Sequence, residues 1–173
     1  MRSKLITMLN KALILFSILL IWQTTNAQKK KVNKIQVVNF DQLEPYFHKT
    51  NDTIYLVNFW ATWCAPCIKE LPAIEAVEEK YSDKRFKVLL VSLDFQKDLT
   101  SRLEPFVKSK NITSDVFLLN DPDQNRWIDR VDTNWSGEIP FTVIYGKQFR
   151  ESYSRPFTFA ELDSIINVKL NLP

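Results

Sequence analysis

Glycine, cysteine and histidine are scarce in this 173-residue chain, which contains two, two and one of them respectively. With Gly137 and Gly146 as its only glycines, the chain cannot be glycine-rich and flexible or collagen-like. A structural zinc site needs four ligands, usually cysteine and histidine. Cys64, Cys67 and the distant His48 supply only three. We therefore expect no metal site, the alternative being a copper site if folding brings His48 to the cysteines.

Acidic residues are absent before Asp41, and the first 27 residues differ from the rest in other ways too. Basic residues precede the apolar run Ala12–Trp22, and Thr25 and Ala27 would be the −3 and −1 positions of a cleavage after Ala27. This layout predicts a secretory signal at residues 1–27, because the run is shorter than the roughly 20 residues of a spanning helix. We expect an exported, periplasmic protein. The alternative is an uncleaved membrane anchor.

Export would remove the excess of positive charge. The whole chain carries +3, and residues 1–27 contain three basic residues and no acidic ones. The remainder is formally neutral, which gives no basis for a nucleic-acid partner. Residues 28–34 form a basic segment that we interpret as a solvated spacer, with contact to a membrane surface as the alternative. The length favours a single domain, at residues 35–173.

Apolar patterns predict an α/β fold in the remainder. Residues 53–60 and 85–95 are typical of strands buried on both faces, and residues 65–81 between them have helical spacing. Such a unit calls for parallel strands and a right-handed crossover. Further expected elements are a strand at 35–40, a helix capped by Asp41 and reaching about Thr50, a helix at 97–110, a strand at 115–120, a short helix around Trp127, two strands within 141–153, and a helix that follows Thr158 in a capping box with Glu161. The result is a central mixed sheet flanked by helices.

Cys64 and Cys67 are better suited to redox chemistry than to bracing the fold. A disulfide stabilises mainly by closing a long loop, and this pair encloses two residues. The pair follows a buried strand and opens a helix, where free N–H groups and the helix dipole favour a thiolate at Cys64. Trp63 would shield one side of the sulfur. Cys67 is close enough to attack a mixed disulfide at Cys64.

The segment Asn58–Cys67, NFWATWCAPC, resembles the active site of the thioredoxin superfamily, and most closely the exported TlpA/ResA-like thiol–disulfide oxidoreductases. The resemblance extends over most of the chain from about Ile35. It implies a thioredoxin-like fold with an insertion at about residues 94–136, between the βαβ and ββα halves. Pro72 matches the proline that kinks the active-site helix of that family.

The resemblance also implies a cis-proline loop that faces the cysteines. Pro140 would carry the cis bond, and the backbone of Ile139 would pair with an extended substrate, next to Trp63. Phe141 stands where relatives often have threonine, which predicts an altered substrate-facing surface.

Two polar positions follow from the same resemblance. Glu70 matches an acid that lies near the cysteines in this branch and would tune Cys67 or relay its proton; the alternative is an exposed helix carboxylate. Asn58 stands where cytoplasmic thioredoxins have a buried acid, so one candidate base is missing.

Trp127 and Trp135 either belong to the core or line a substrate groove.

The function implied is reduction of disulfides in target proteins by a monomer without a bound cofactor. A membrane or periplasmic thiol donor would restore the dithiol. Ala65 and Pro66 carry no charge that would stabilise the thiolate strongly, which favours reduction over oxidation. The alternatives are a disulfide oxidase or isomerase, a copper-handling protein of the same fold, and a peroxide reductase.

Overall fold

The computed structural model describes residues 34–172, so the predicted signal and nearly all of the spacer lie outside the described part. The strands are β1 (Gln36–Val38), β2 (Ile54–Trp60), β3 (Phe86–Ser92), β4 (Asp115–Leu119), β5 (Phe141–Gly146) and β6 (Phe149–Tyr153). The α-helices are α1 (Phe40–Leu43), α2 (Ala65–Lys80), α3 (Glu104–Ser109), α4 (Gln124–Val131) and α5 (Phe159–Leu170). Within residues 34–172, no helix combines the length and apolar character needed to cross a membrane.

The six strands form one mixed sheet in the order β1-β4-β3-β2-β5-β6. β2 and β3 are parallel and joined through α2, which confirms the predicted βαβ unit. β5 pairs with β2 in the antiparallel sense, with Phe141 opposite Phe59. The C-terminal end of β2 and the N-terminal end of β5 therefore lie at the same edge of the sheet.

β2 is buried along its whole length because helices cover both faces of the sheet. Successive side chains of a strand point to opposite faces. Leu56 and Trp60 accordingly pack in the cluster that includes Ile74 of α2, whereas Val57 and Phe59 pack in the cluster of α1 and α4. This two-sided burial is what the continuous apolar run predicted.

Two helical predictions need correction. Asn39 rather than Asp41 caps α1, because its side chain accepts from the Gln42 N–H while the Gln42 side chain accepts from the Asn39 N–H. A 3₁₀ turn then ends at Phe47, short of the predicted Thr50. The predicted helix at 97–110 consists of a 3₁₀ turn, a π-helical segment and α3, whose first turn contains Pro105, a residue with no N–H to donate.

Trp127 and Trp135 belong to the core and do not line a groove. Both are 2% exposed. The Trp127 ring stacks on Phe40, and the Trp135 ring stacks on Phe141 with 4.4 Å between centroids. Their indole N–H groups donate to the carbonyls of Asp121 and Glu138. Phe141 is buried against Trp135, so the expectation that it alters a substrate-facing surface is wrong.

Truncation of Trp127 should therefore destabilise the fold strongly. We expect Trp127→Ala to lower the free energy of unfolding by about 3–5 kcal/mol, because it opens a cavity among stacked rings. Guanidinium denaturation of the protein without residues 1–27 measures this. Phe95→Ala, at a side chain that is 65% exposed, is the matched control and should change stability by less than about 0.5 kcal/mol. A loss below about 1 kcal/mol for Trp127→Ala would show that this ring is not part of the core.

Candidate active site

The two cysteines sit where a buried strand passes into a helix. β2 ends at Trp60, and Cys64 is the N-cap of α2. Pro66 lies in the first turn, where its missing N–H costs nothing. The N–H of Cys67 donates to Cys64 Sγ over 3.3 Å. A helix N-terminus with an N–H aimed at the sulfur favours a thiolate there.

Cys64 and Cys67 are joined in a disulfide with their Cα atoms 5.3 Å apart. Their exposure differs, since Cys64 is 5% exposed and Cys67 is fully buried. Cys64 is therefore the more accessible of the two to an incoming molecule. Trp63, the residue directly before Cys64, is 54% exposed.

The loop before β5 faces the cysteines. The Ile139–Pro140 bond is cis, and the carbonyl oxygen of Ile139 lies 3.7 Å from Cys64 Sγ. Pro140 is buried, whereas Ile139 is half-buried. The loop is supported from behind, because Trp135 donates its indole N–H to the carbonyl of Glu138 over 2.7 Å.

Glu70 is a buried carboxylate rather than an exposed helix residue. It is 2% exposed, and it accepts hydrogen bonds from the Asn58 side chain at 2.9 Å and from the Phe157 N–H at 2.9 Å. Burial raises the pKa of Glu70 above its ordinary value, while these two donors and the charge of Arg155 act in the opposite direction. A raised pKa brings a carboxyl group closer to the range in which it can exchange protons at neutral pH.

Asn58 connects Glu70 to the cis-proline strand. It is fully buried on β2, and its amide N–H₂ donates to Glu70 and, over 3.0 Å, to the hydroxyl of Thr142 on β5. Thr142 and Phe157 were not singled out from the sequence. They lie 84 and 87 residues from the groups they bond, and no local pattern reports such a pairing.

A second polar cluster holds the loop that carries Trp63 and was also missed. The Asp94 carboxylate is 4% exposed and accepts from the backbone N–H of Thr62 at 3.0 Å, from the Thr62 hydroxyl, and from the Ser92 hydroxyl at 2.8 Å. The available signal was an acidic residue inside the apolar run of residues 85–95.

The structure does not bring His48 to the cysteines. His48 is exposed and lines a surface cavity with Tyr145 and Gly146, at the C-terminal end of β5. The cysteines face Ile139, which precedes the N-terminal end of the same strand. Across residues 34–172, no group of three or more histidine, cysteine or acidic side chains is arranged to hold a metal ion.

The fold and the site together define a thioredoxin-fold protein with a Cys-x-x-Cys pair opposite a cis-proline loop. The sequence profile of the AhpC/TSA family matches residues 26–149, and the chain belongs to that family. The predicted thioredoxin-like fold is confirmed by a secreted thiol–disulfide isomerase from Corynebacterium glutamicum. That structure aligns with a TM-score of 0.59 at 18% identity, over 78% of this chain and 77% of its own.

Two relatives share sequence with this chain over short segments. The thioredoxin-like protein YneN of Bacillus subtilis is 33% identical over 63 residues, or 36% of each chain. The thiol–disulfide oxidoreductase ResA of Oceanobacillus iheyensis is 44% identical over 39 residues, or 22% of this chain and 20% of ResA. The match to ResA agrees with the resemblance seen in the sequence. The aligned segment spans well under half the length of either relative.

The reduced protein should show unequal thiols. We expect iodoacetamide to alkylate Cys64 at least about tenfold faster than Cys67 at pH 7, because Cys64 is accessible and its thiolate receives an N–H donor. Mass spectrometry of partially alkylated protein gives the two rates. Cys64→Ser and Cys67→Ser isolate each thiol, and the rates should converge in denaturant. Faster alkylation of Cys67 in the folded protein would contradict this assignment.

Proposed function

We propose that this protein is an exported thiol–disulfide oxidoreductase that reduces disulfides in target proteins. The observation that carries the proposal is the position of Cys64. Its sulfur caps a helix, is the accessible member of the pair, and lies beside the Ile139 carbonyl. The likeness to ResA, which is itself a thiol–disulfide oxidoreductase, supports the same chemistry.

The reaction is a two-electron exchange in which sulfur–sulfur bonds are replaced one at a time. The Cys64 thiolate attacks one sulfur of the target disulfide, and the other target sulfur leaves and takes up a proton. A mixed disulfide now joins Cys64 to the target. Cys67, once deprotonated, attacks Cys64 Sγ and releases the second target sulfur. The products are a target dithiol and the Cys64–Cys67 disulfide of the present structure.

Four residues near the cysteines in the fold suit this reaction. The backbone at Ile139 would pair with an extended stretch of the target, and Pro140 would fix that backbone opposite the sulfur. The exposed Trp63 ring would cover the target on the other side. Glu70 would accept the Cys67 proton or relay it, since it lies one helical turn after Cys67 on the same helix.

Export is proposed from residues 1–27, whose pattern is that of a secretory signal. The thiol–disulfide isomerase with the same fold is described as secreted, which agrees with this location. In a periplasm the oxidised pair needs a membrane or periplasmic thiol donor to restore it. We expect the protein to act as a monomer.

The reduction potential decides the direction of the exchange. We expect the Cys64–Cys67 couple to lie near the thioredoxin value of about −270 mV, because Ala65 and Pro66 add no charge that stabilises the thiolate. Equilibration of the mature domain with dithiothreitol or glutathione measures it. A potential near about −120 mV would identify an oxidant of folding proteins instead.

Cys67→Ser should leave the mixed disulfide with a target trapped, which tests the order of attack.

The role of Glu70 predicts a change in pH dependence. We expect Glu70→Gln to slow resolution of the mixed disulfide by about tenfold or more near neutral pH, because no carboxylate then takes the Cys67 proton. In the unmodified protein the same rate should fall as pH decreases through the raised pKa of Glu70. This fall at low pH, the acidic limb of the pH–rate profile, should disappear in Glu70→Gln.

Single-turnover release of a target from Cys64 measures the rate of resolution directly. Glu104→Gln, which removes an exposed carboxylate on α3, should keep both the rate and the limb. An unchanged profile in Glu70→Gln would show that Glu70 serves only to support the fold.

A further inference from the structure

Two aromatic side chains stand exposed on neighbouring loops. Among the described Phe, Trp and Tyr residues, Phe95 and Trp63 are the most exposed, at 65% and 54%. Folded proteins expose many single apolar groups without consequence. The position of these two rings relative to the cysteines and to each other is what gives them significance.

The loops that carry the two rings leave the sheet at the same end. Trp63 follows β2 and Phe95 follows β3, and these strands are parallel neighbours whose last residues, Trp60 and Ser92, lie opposite each other. The Leu93 N–H continues the pairing by donating to the Trp60 carbonyl over 2.8 Å. In α/β folds, the C-terminal ends of parallel strands are where ligands bind.

Hydrogen bonds from Thr62 to the buried Asp94 connect the two loops. Thr62, directly before Trp63, donates both its backbone N–H and its hydroxyl to Asp94, directly before Phe95. Asp94 is itself held by the Ser92 hydroxyl. The Asp94 carboxylate with these donors keeps the two loops side by side, so the backbone that carries Phe95 lies next to the loop that carries Trp63 and leads to Cys64.

The segment that carries Phe95 makes contacts of its own although the ring is exposed. The Lys97 ammonium lies 5.4 Å from the Phe95 ring centroid, and the neighbouring Gln96 side chain accepts from the Asn120 amide at 2.6 Å. An aromatic ring that is held in place loses little conformational freedom on binding. Such rings are frequent anchors at protein interfaces.

We propose that Phe95 is a docking residue for the polypeptide substrate and contacts an apolar side chain of the segment that flanks the target cysteine. The inference rests on the proposed function, because the occupant is the same disulfide-containing polypeptide that reacts at Cys64. Phe95 would extend, on the side of β3, the substrate-facing surface that Trp63 and Ile139 form around Cys64. A small disulfide without flanking apolar side chains would reach Cys64 without contacting this ring.

The test compares two disulfides. One is a peptide disulfide of about ten residues with leucine on both sides of each cysteine, and the other is glutathione disulfide. The readout is the ratio of kcat/KM for the peptide to that for glutathione disulfide. We expect Phe95→Ala to lower this ratio about tenfold and Phe95→Leu to restore most of it, because the contact is apolar. Phe159→Ala, an exposed aromatic on α5, should leave the ratio unchanged.

A second peptide, with serine in place of each leucine, makes the test specific. The effect of Phe95→Ala should shrink to less than about twofold with this peptide, since the two changes remove the same contact. An unchanged ratio for Phe95→Ala with the leucine peptide would overturn the inference. This includes the case in which kcat/KM falls equally for the leucine peptide and for glutathione disulfide, because the effect would then lie at the cysteines themselves. If the unmodified protein reduces neither disulfide, the proposed function fails and the docking role with it.

Discussion

The bond from the Cys67 N–H to Cys64 Sγ is the interaction on which the rest of the site depends. It forms because α2 begins shortly after β2 ends, with Cys64 as its N-cap, and because Pro66, within the first turn, has no N–H of its own. The sulfur thus takes the place that a serine or aspartate oxygen occupies at most helix starts. The capping atom, whose negative charge the helix N-terminus stabilises, is here a nucleophile, and Cys67 is the more deeply buried of the two cysteines.

The buried polar layer below the cysteines connects segments that are far apart in the chain. Asn58, Glu70 and Thr142 come from β2, α2 and β5, and the Phe157 N–H comes from the segment before α5. Burial of a carboxylate is costly unless it is hydrogen-bonded, and these donors supply that compensation. The same bonds fix the active-site helix against the strand that carries the cis-proline loop. Proton chemistry and rigidity therefore depend on one set of contacts.

Local patterns predicted most of the fold and the reacting atoms. The run of apolar residues in β2, the helical spacing of α2 and the capping box at Thr158 all depend on near neighbours, and all are present. The start of α1 was misplaced because both Asn39 and Asp41 can cap a helix, and only the reciprocal bond of Gln42 decides between them. The partners of Glu70 and Asp94 were not predicted, because hydrogen bonds between distant segments leave no periodic trace in a sequence.

The mixed sheet accounts for the convergence of all these groups on one edge. β2 and β3 are parallel, so the loops that carry Cys64 and Phe95 leave at the same end. β5 runs antiparallel to β2, and this direction alone brings the start of β5, with Ile139, to that end. Were β5 parallel to β2, the cis-proline loop would lie at the opposite edge, where His48 is found. The antiparallel direction of this one strand is thus what brings the Ile139 carbonyl to Cys64 Sγ, at the end of the sheet from which the loops of Trp63 and Phe95 also leave.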